Sequence, residues 1–187
     1  MKLYYTVASA QNDVQFKPEL SLGGYKSANL VESNRFENLF SDISMYTVKN
    51  NNSNKYIGLI LVNEDSVAHS DVYFWFKYPS SCSSKFRVAI VDLATDTDGI
   101  EFMEHISSNE SKPLYATFYE ADGEDNKISI GSIASGGMLG IWFERELNLD
   151  AIKLEQNSIY QQDSSDPYHY NEVELSKEDI IDINFQW

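Results

Sequence analysis

Short runs of alternating apolar and polar side chains recur along the middle of the chain. In residues 71–77 every second side chain is Val or Phe, and residues 86–91 repeat this pattern. Residues 56–62 are apolar on both faces, as in an interior strand. Turn residues separate these runs about every ten positions. Further strand-like runs occupy residues 45–49, 101–106, 114–120, 127–133 and 139–143.

This spacing predicts an all-β fold, with a single antiparallel β-sandwich (immunoglobulin-like or jelly-roll-like) in residues 45–149. No helical run of ten or more residues lies between the strands, which argues against an α/β fold. A chain of 187 residues is long enough for one ordinary domain with a real core. The predicted core residues are Leu59, Leu61, Phe74, Phe76, Val88, Ile90, Ile130, Ile141 and Phe143.

Residues 1–44 show less strand periodicity and predict an N-terminal arm. Phe36, Leu39, Phe40 and Ile43 recur at intervals of three or four, which indicates a short amphipathic helix. We expect this helix to cover one end of the sandwich.

Residues 150–187 predict an acidic, aromatic C-terminal arm. They contain nine acidic residues and two lysines, a net charge of −7. A purely solvated acidic tail would not need aromatic side chains, so we expect the arm to pack on its own sandwich or on a neighbour. Residues 176–179 predict the start of a short helix that presents an apolar anchor. Its members are Ile180, Ile181, Ile183, Phe185 and Trp187.

The formal net charge of −15 narrows the possible partners. Such a surface repels phosphate backbones and anionic lipids, so we expect neither nucleic-acid nor membrane binding. No stretch approaches the roughly 20 apolar residues that span a bilayer. The first residues lack the pattern of a secretion signal. Cys82 is the only cysteine, so no intramolecular disulfide can form. We therefore expect synthesis in a reducing cytoplasm.

The ionisable and nucleophilic residues form no recognisable catalytic or metal-binding set. His69, His105 and His169 are far apart, and Cys82 lies in a Ser-rich stretch without the rigid surroundings of a thiol nucleophile. The acidic loops lack the spacing of a calcium-binding EF-hand, and a solvated turn is the favoured reading of each. We therefore expect no enzymatic activity, no metal and no cofactor.

Four segments in a fixed order carry the most specific pattern in this sequence. They are S-L-G-G-Y-K-S at residues 21–27, N-L-F at 38–40, Y-I-G-L-I-L-V-N at 56–63 and G-I-W-F-E-R at 140–145. Together they resemble small β-sandwich proteins and domains encoded among the structural genes of tailed bacteriophages. The resemblance covers roughly residues 9–148. It implies a non-enzymatic virion component, either a capsid accessory protein or a portal-proximal collar or tail subunit, synthesised in the host bacterial cytoplasm.

The resemblance also implies contacts with capsid, portal or tail proteins and with copies of the chain itself. Trp142 and Arg145 belong to residue types that are favoured at interfaces. The favoured alternative places Trp142 in the core, under the guanidinium of Arg145. A carbohydrate- or receptor-binding module that uses exposed Tyr and Trp is the second class of function. The candidate partner contacts are Tyr25, Phe36, Phe40, Trp142, Arg145, Ile180, Ile181, Phe185 and Trp187.

Overall fold

Eleven short β-strands run through the described part of the chain. The computed structural model describes residues 1–10, 14–15, 17–31, 35–36, 40, 54–77, 84–147 and 181–186, with the backbone alone at 35–36, 84, 147 and 181–184. Two single-turn 3-10 helices, Pro18–Leu20 and Glu124–Asn126, are the only helices there, which confirms the all-β class. The strands are β1 (Lys2–Val7), β2 (Gly24–Leu30), β3 (Arg35–Phe36), β4 (Asn54–Val62), β5 (His69–Lys77), β6 (Ser84–Val91), β7 (Ala94–Thr95), β8 (Glu101–Met103), β9 (Ile128–Ile133), β10 (Met138–Leu147) and β11 (Ile181–Gln186).

The described strands form two sheets, and every pairing between two of them is antiparallel. The larger sheet has seven strands in the order β6-β10-β4-β1-β2-β8-β7. The smaller sheet has four strands in the order β3-β11-β5-β9. Strand β10 pairs along its length with β4 on one side and β6 on the other.

The two sheets pack on one group of buried side chains, which we call the shared core. The rings of Phe74 in β5 and Phe143 in β10 lie 5.9 Å apart, and those of Phe76 and Phe86 lie 6.3 Å apart. Burial of this apolar area, at about 25 cal/mol per Å², is the main source of stability. Its buried members are Leu3, Phe40, Ile57, Leu59, Leu61, Val72, Phe74, Phe76, Phe86, Val88, Ala121, Ile133, Ile141 and Phe143.

The predicted core residues all belong to or border the shared core. Seven of the nine are buried, whereas Ile90 and Ile130 are half-buried and pack against it. The alternation in β5, β6 and β10 therefore identifies the face that points inward.

The opposite face of the larger sheet is covered by the chain that follows β8. The backbone N–H of Ile106 donates to the carbonyl oxygen of Leu22 at 2.9 Å, and the ring of Phe118 lies 5.6 Å from that of Tyr56. The central strands of this sheet are thus buried on both faces. We call this second group the outer cluster, and its buried members are Tyr56, Ile60, Val62, Ala89, Met103, Ile106 and Trp142.

The segment expected to be an N-terminal arm supplies two strands to the larger sheet. Strand β1 lies between β4 and β2, with Leu3 opposite Leu61, and both Leu3 and Val7 are buried. Residues 2–7 are therefore part of the folded unit. The short helix expected at 33–43 lies mostly outside the described residues, of which 35–36 form β3.

The helix expected near the C-terminal end is wrong in its described part. Residues 181–186 form β11, which lies between β3 and β5 in the smaller sheet. Ile181, Ile183 and Phe185 alternate with polar residues, and this period of two suits a strand.

Two of the expected strands in the middle segment differ as well. Residues 114–120 contribute only a single bridge, between Val88 and Tyr119, and the strand expected at 101–106 ends at Met103. Residues 45–49 lie outside the described part. None of the described helices is long and apolar enough to cross a membrane.

Candidate functional site

Three of the motif segments meet at a buried hydrogen-bonded junction. Ser21 Oγ accepts from the backbone N–H of Thr6 at 2.8 Å and lies 2.6 Å from the carbonyl oxygen of Gly58. The backbone N–H of Gly58 in turn donates a hydrogen bond to the carbonyl oxygen of Ser21 at 2.8 Å. Thr6 and Ser21 are completely buried, so these bonds satisfy polar groups that water does not reach. We call Thr6, Ser21, Gly23, Gly58 and Trp142 the motif junction.

The ring of Trp142 closes the motif junction against two glycines. A Cβ at Gly58 would lie 3.1 Å from Trp142 Cζ3, and one at Gly23 would lie 3.0 Å from Cζ2. At Gly23 the same Cβ would also lie 1.8 Å from the carbonyl oxygen of Glu104, and φ is +83°. Glycine is therefore required at Gly23 by both space and backbone conformation.

Asn63, which ends the third motif segment, fastens β4 to the turn between β9 and β10. Its Nδ2 lies 2.9 Å from the carbonyl oxygen of Val67, 3.1 Å from that of Ile133 and 3.0 Å from that of Ala134. Its backbone N–H donates to Gly137 at 3.0 Å. This side chain is completely buried. Asn63 therefore has a structural role.

A buried carboxylate joins three strands beside the motif junction. Glu144 Oε1 accepts from the hydroxyl of Tyr56 and from Nδ2 of Asn54, both at 2.9 Å, while Oε2 lies 2.8 Å from Nε of Arg87. Arg87 also pairs with Glu146. Burial and the bond to Glu144 raise the pKa of Tyr56 to about 12. The two glutamates that flank Arg145 are thus held by Arg87 and do not form an open carboxylate pair.

Trp142 and Arg145, two of the candidate partner contacts, are buried with 1% and 3% of their surface exposed. The guanidinium carbon of Arg145 lies 4.9 Å from the ring centre of Phe40, a third candidate, which is 8% exposed. A cation held over an aromatic ring stabilises the packing of both groups. These three residues occupy interior positions, which agrees with the alternative of a core Trp.

The other candidate contacts lie elsewhere. Tyr25 is half-buried, with its ring 5.5 Å from that of Phe102, and its hydroxyl donates to Asp96 at 3.0 Å. Phe185 is half-buried, and its ring lies 5.4 Å from that of Phe74 in the shared core. Of Phe36 and Ile181 only the backbone is described, in β3 and β11. Ile180 and Trp187 lie outside the described residues.

The acidic turn after β7 binds its own backbone. Asp96 Oδ1 accepts from the N–H groups of Ile100 and Asp98, both at 2.9 Å. The bond from Ile100, together with that from the Tyr25 hydroxyl, holds the pKa of Asp96 below its usual range. Among the described side chains, no three His, Cys, Asp or Glu residues gather closely enough to hold a metal ion.

The three histidines and the cysteine are not brought together within the described part. His69 Nε2 lies 2.6 Å from Asp65 Oδ2, and this bond lowers the pKa of the Asp65 carboxyl. His105 is exposed on the segment after β8, and Cys82 and His169 lie outside the described residues.

Among the described side chains, the most exposed apolar ones lie on a loop tip that the sequence pattern assigned to a strand. Leu114 and Tyr115 are 80% and 85% exposed. Both carboxylate oxygens of Glu104 accept from the N–H of Leu114 at 2.9 Å, and Oε2 lies 3.3 Å from the N–H of Tyr115. The adjacent Pro113 is buried and lies just before the expected strand, where proline is tolerated. The tip is therefore an apolar pair on a backbone that a carboxylate holds in place.

No model of a protein family matches this chain, and neither a curated protein nor a solved structure matches it.

Proposed function

We propose that this chain is a non-enzymatic structural component of a tailed-bacteriophage virion, either a capsid accessory protein or a portal-proximal collar or tail subunit. The motif junction is the observation that carries the proposal. Segments 21–27, 56–63 and 140–145 are far apart in sequence, yet Ser21, Gly58 and Trp142 lie together in space. Convergence of this kind is expected of the structural signature of a family. The convergence supports the resemblance on which the proposal rests.

The exposed loop tip supports a role through protein contacts. Leu114 and Tyr115 place apolar surface in water at a cost of roughly 25 cal/mol per Å². Tyrosine is also among the residues that dominate binding energy at interfaces. Because Glu104 fixes the backbone of the tip, little conformational entropy would be lost when a partner covers it.

The finer description of the fold is part of the same proposal. Two antiparallel sheets that share one core support a β-sandwich of the immunoglobulin-like or jelly-roll-like kind. Strands β4 and β10 lie next to each other although they are distant in sequence, as in the long connections of Greek-key sandwiches.

The protein content of the particle tests the proposed function. Particles of the phage whose genome carries this sequence are purified on a density gradient, and peptides of the chain are quantified against those of the major capsid and portal proteins. We expect a constant ratio across the particle fractions. A replication protein of the same phage serves as the control for contamination. Peptides that are present in the lysate but absent from purified particles would overturn the proposal.

A carbohydrate- or receptor-binding module is the second candidate, and the outer face of the smaller sheet favours it. Tyr73 and Trp75 alternate with the buried residues of β5 and are half-buried on this face. The ammonium of Lys127 lies 4.6 Å from the Tyr73 ring centre and 2.7 Å from the side-chain oxygen of Gln186. Aromatic rings beside polar groups suit stacking on a sugar ring. Saturable binding on a glycan array that Trp75→Ala abolishes would favour this function, and an array without signal would exclude it for the glycans presented.

A further inference from the structure

The sequence contains two Asp-Gly pairs, Asp98-Gly99 and Asp122-Gly123, and the structure describes both. Such a pair is prone to rearrange to isoaspartate, because glycine has no side chain to hinder attack by its amide nitrogen on the aspartate carboxyl. The attack requires that the nitrogen is free of a strong hydrogen bond and that the backbone of the pair can turn. The two pairs differ in both respects.

Asp98 and Gly99 are exposed residues of the turn that joins β7 to β8. The N–H of Gly99 donates to the carbonyl oxygen of Asp96 at 3.2 Å, which is the long end of the normal range for such a bond. Within the described part of the chain, no group bonds to the carboxylate of Asp98. Strand β7 has two residues, both exposed, and lies at the edge of the larger sheet. The turn can therefore open locally without disturbing the shared core.

The backbone of Asp122 and Gly123 is bonded to an interior strand of the smaller sheet. The N–H of Gly123 donates to the carbonyl oxygen of Phe76 at 2.9 Å, and the carbonyl oxygen of Ala121 accepts from the N–H of Phe76 at the same distance. Phe76 lies in β5 and is completely buried. The nitrogen of Gly123 is therefore released only when this part of the smaller sheet opens, which costs more free energy than opening a surface turn.

We propose that Asp98 is a site of spontaneous isoaspartate formation in the folded protein, whereas the fold protects Asp122. The amide nitrogen of Gly99 attacks the side-chain carboxyl carbon of Asp98. Its proton leaves with the carboxyl hydroxyl as one molecule of water, and a five-membered succinimide forms. Water then reopens the ring. Hydrolysis at the side-chain carbonyl restores aspartate, and hydrolysis at the backbone carbonyl leaves the chain running through the side chain of Asp98. This modification does not depend on a phage origin of the protein.

The rearrangement changes the geometry of the turn, although the composition and the net charge of the chain stay the same. It inserts one methylene group into the backbone between Asp98 and Gly99. Asp96 Oδ1 accepts from the N–H groups of Asp98 and Ile100, which lie on opposite sides of this insertion. The lengthened turn cannot retain both bonds in their present geometry, so the modification loosens the hairpin of β7 and β8.

Incubation of the full chain at neutral pH, followed by peptide mapping, tests the proposal. Mass spectrometry with fragmentation that distinguishes isoaspartate from aspartate quantifies the product at both positions over time. In the folded chain, we expect isoaspartate to accumulate at least several-fold faster at Asp98 than at Asp122. The same incubation in concentrated urea removes the structural protection, and there the two rates should become similar. Equal rates in the folded chain, or a difference of the same size in urea, would overturn the proposal.

Two glycine variants give a matched comparison. Gly99 and Gly123 have φ of +80° and +78°, and neither has any atom within 4 Å of an added Cβ, so alanine introduces a similar backbone strain at both positions. Gly99→Ala should reduce isoaspartate formation at Asp98 several-fold, because the methyl group hinders attack by the neighbouring nitrogen. Gly123→Ala should leave the rate at Asp98 unchanged. An unchanged rate at Asp98 in Gly99→Ala, or an equal reduction in both variants, would contradict the proposed reaction.

Discussion

The hydroxyl of Tyr56 donates a 2.9 Å hydrogen bond to the buried carboxylate of Glu144, across the pairing of β4 with β10. Tyr56→Phe removes this bond and leaves a charged oxygen with one donor fewer in a site closed to water. We expect the free energy of unfolding to fall by about 1.5–3 kcal/mol, as for bonds to charged groups. Urea denaturation measures it, with Tyr119→Phe, at a side chain 56% exposed, as the control. An equal effect of both variants would contradict this role of Tyr56.

The raised pKa of Tyr56 predicts a loss of stability in alkali. The pKa is about 12 in the folded protein against an ordinary value of 10.0. Between these values the folded state retains the proton that the unfolded state releases, so the unfolding free energy falls as pH rises through this window. Below pH 10.0 the contribution is fully present. Denaturation at a series of alkaline pH values should give a shallower decline for Tyr56→Phe than for the wild type. Identical slopes would show that other groups control the alkaline transition.

A methyl group added at Gly23 should reduce the stability of the fold far more than one added at Gly123, another glycine with positive φ. Gly23 has φ of +83° and no room beside the Glu104 carbonyl, whereas Gly123 has φ of +78° and nothing within 4 Å of an added Cβ. We expect Gly123→Ala to cost about 1 kcal/mol from backbone strain alone, and Gly23→Ala to cost about 3 kcal/mol or more. Thermal denaturation of both variants compares them. Similar melting temperatures would mean that the motif junction rearranges without difficulty.

Because β11 is part of the smaller sheet, we expect the C-terminal segment to stabilise the domain. The ring of Phe185 packs 5.4 Å from that of Phe74, edge to face, and β11 fills the position between β3 and β5. Phe185→Ala should lower the unfolding free energy by about 2 kcal/mol through the cavity that it leaves. The neighbouring Gln186→Ala, at an exposed side chain, should change it by less than about 0.5 kcal/mol. If Phe185→Ala is as stable as the wild type, this segment is an arm, as the sequence pattern suggested.

Replacing both Leu114 and Tyr115 with serine should impair partner binding without reducing stability. Both side chains are more than three-quarters exposed, at 80% and 85%, so the double variant should keep its stability within about 0.5 kcal/mol. If the loop tip contacts a virion protein, incorporation into particles should drop several-fold in competition with the wild type. Val67→Ser, at a side chain 59% exposed, is the matched control. Unchanged incorporation of the double variant would remove the tip from the partner surface.

The strands with strict alternation were predictable because burial on one face leaves a direct trace in the sequence. Phe74, Phe76 and Phe143 show this. The roles of β1 and β11 were not predictable, because each is held by strands far away in sequence that no local pattern reveals. Residues 114–120 have suitable side chains, but Ala116 and Phe118 pack on the outer cluster, and only Tyr119 pairs with the edge strand β6.

The motif pattern identified constrained residues without revealing the cause of the constraint. Trp142 and Arg145 are constrained by packing and by a cation–ring contact, and interface anchors would use the same residue types. Leu114 and Tyr115 look like any other apolar pair in the sequence. Their exposure depends on where Glu104 and Pro113 direct the chain, which is a property of the folded protein.

The pairing of β5 with β11 joins Phe74 to Phe185 across more than half of the chain. Contacts between residues so far apart in sequence form late, because the chain loses the entropy of loop closure before the contact stabilises it. All-β proteins of this kind fold in milliseconds to seconds. Until β11 arrives, one side of β5 presents unpaired backbone beside Phe74 and Phe76. We therefore expect the refolding yield to decrease as protein concentration increases.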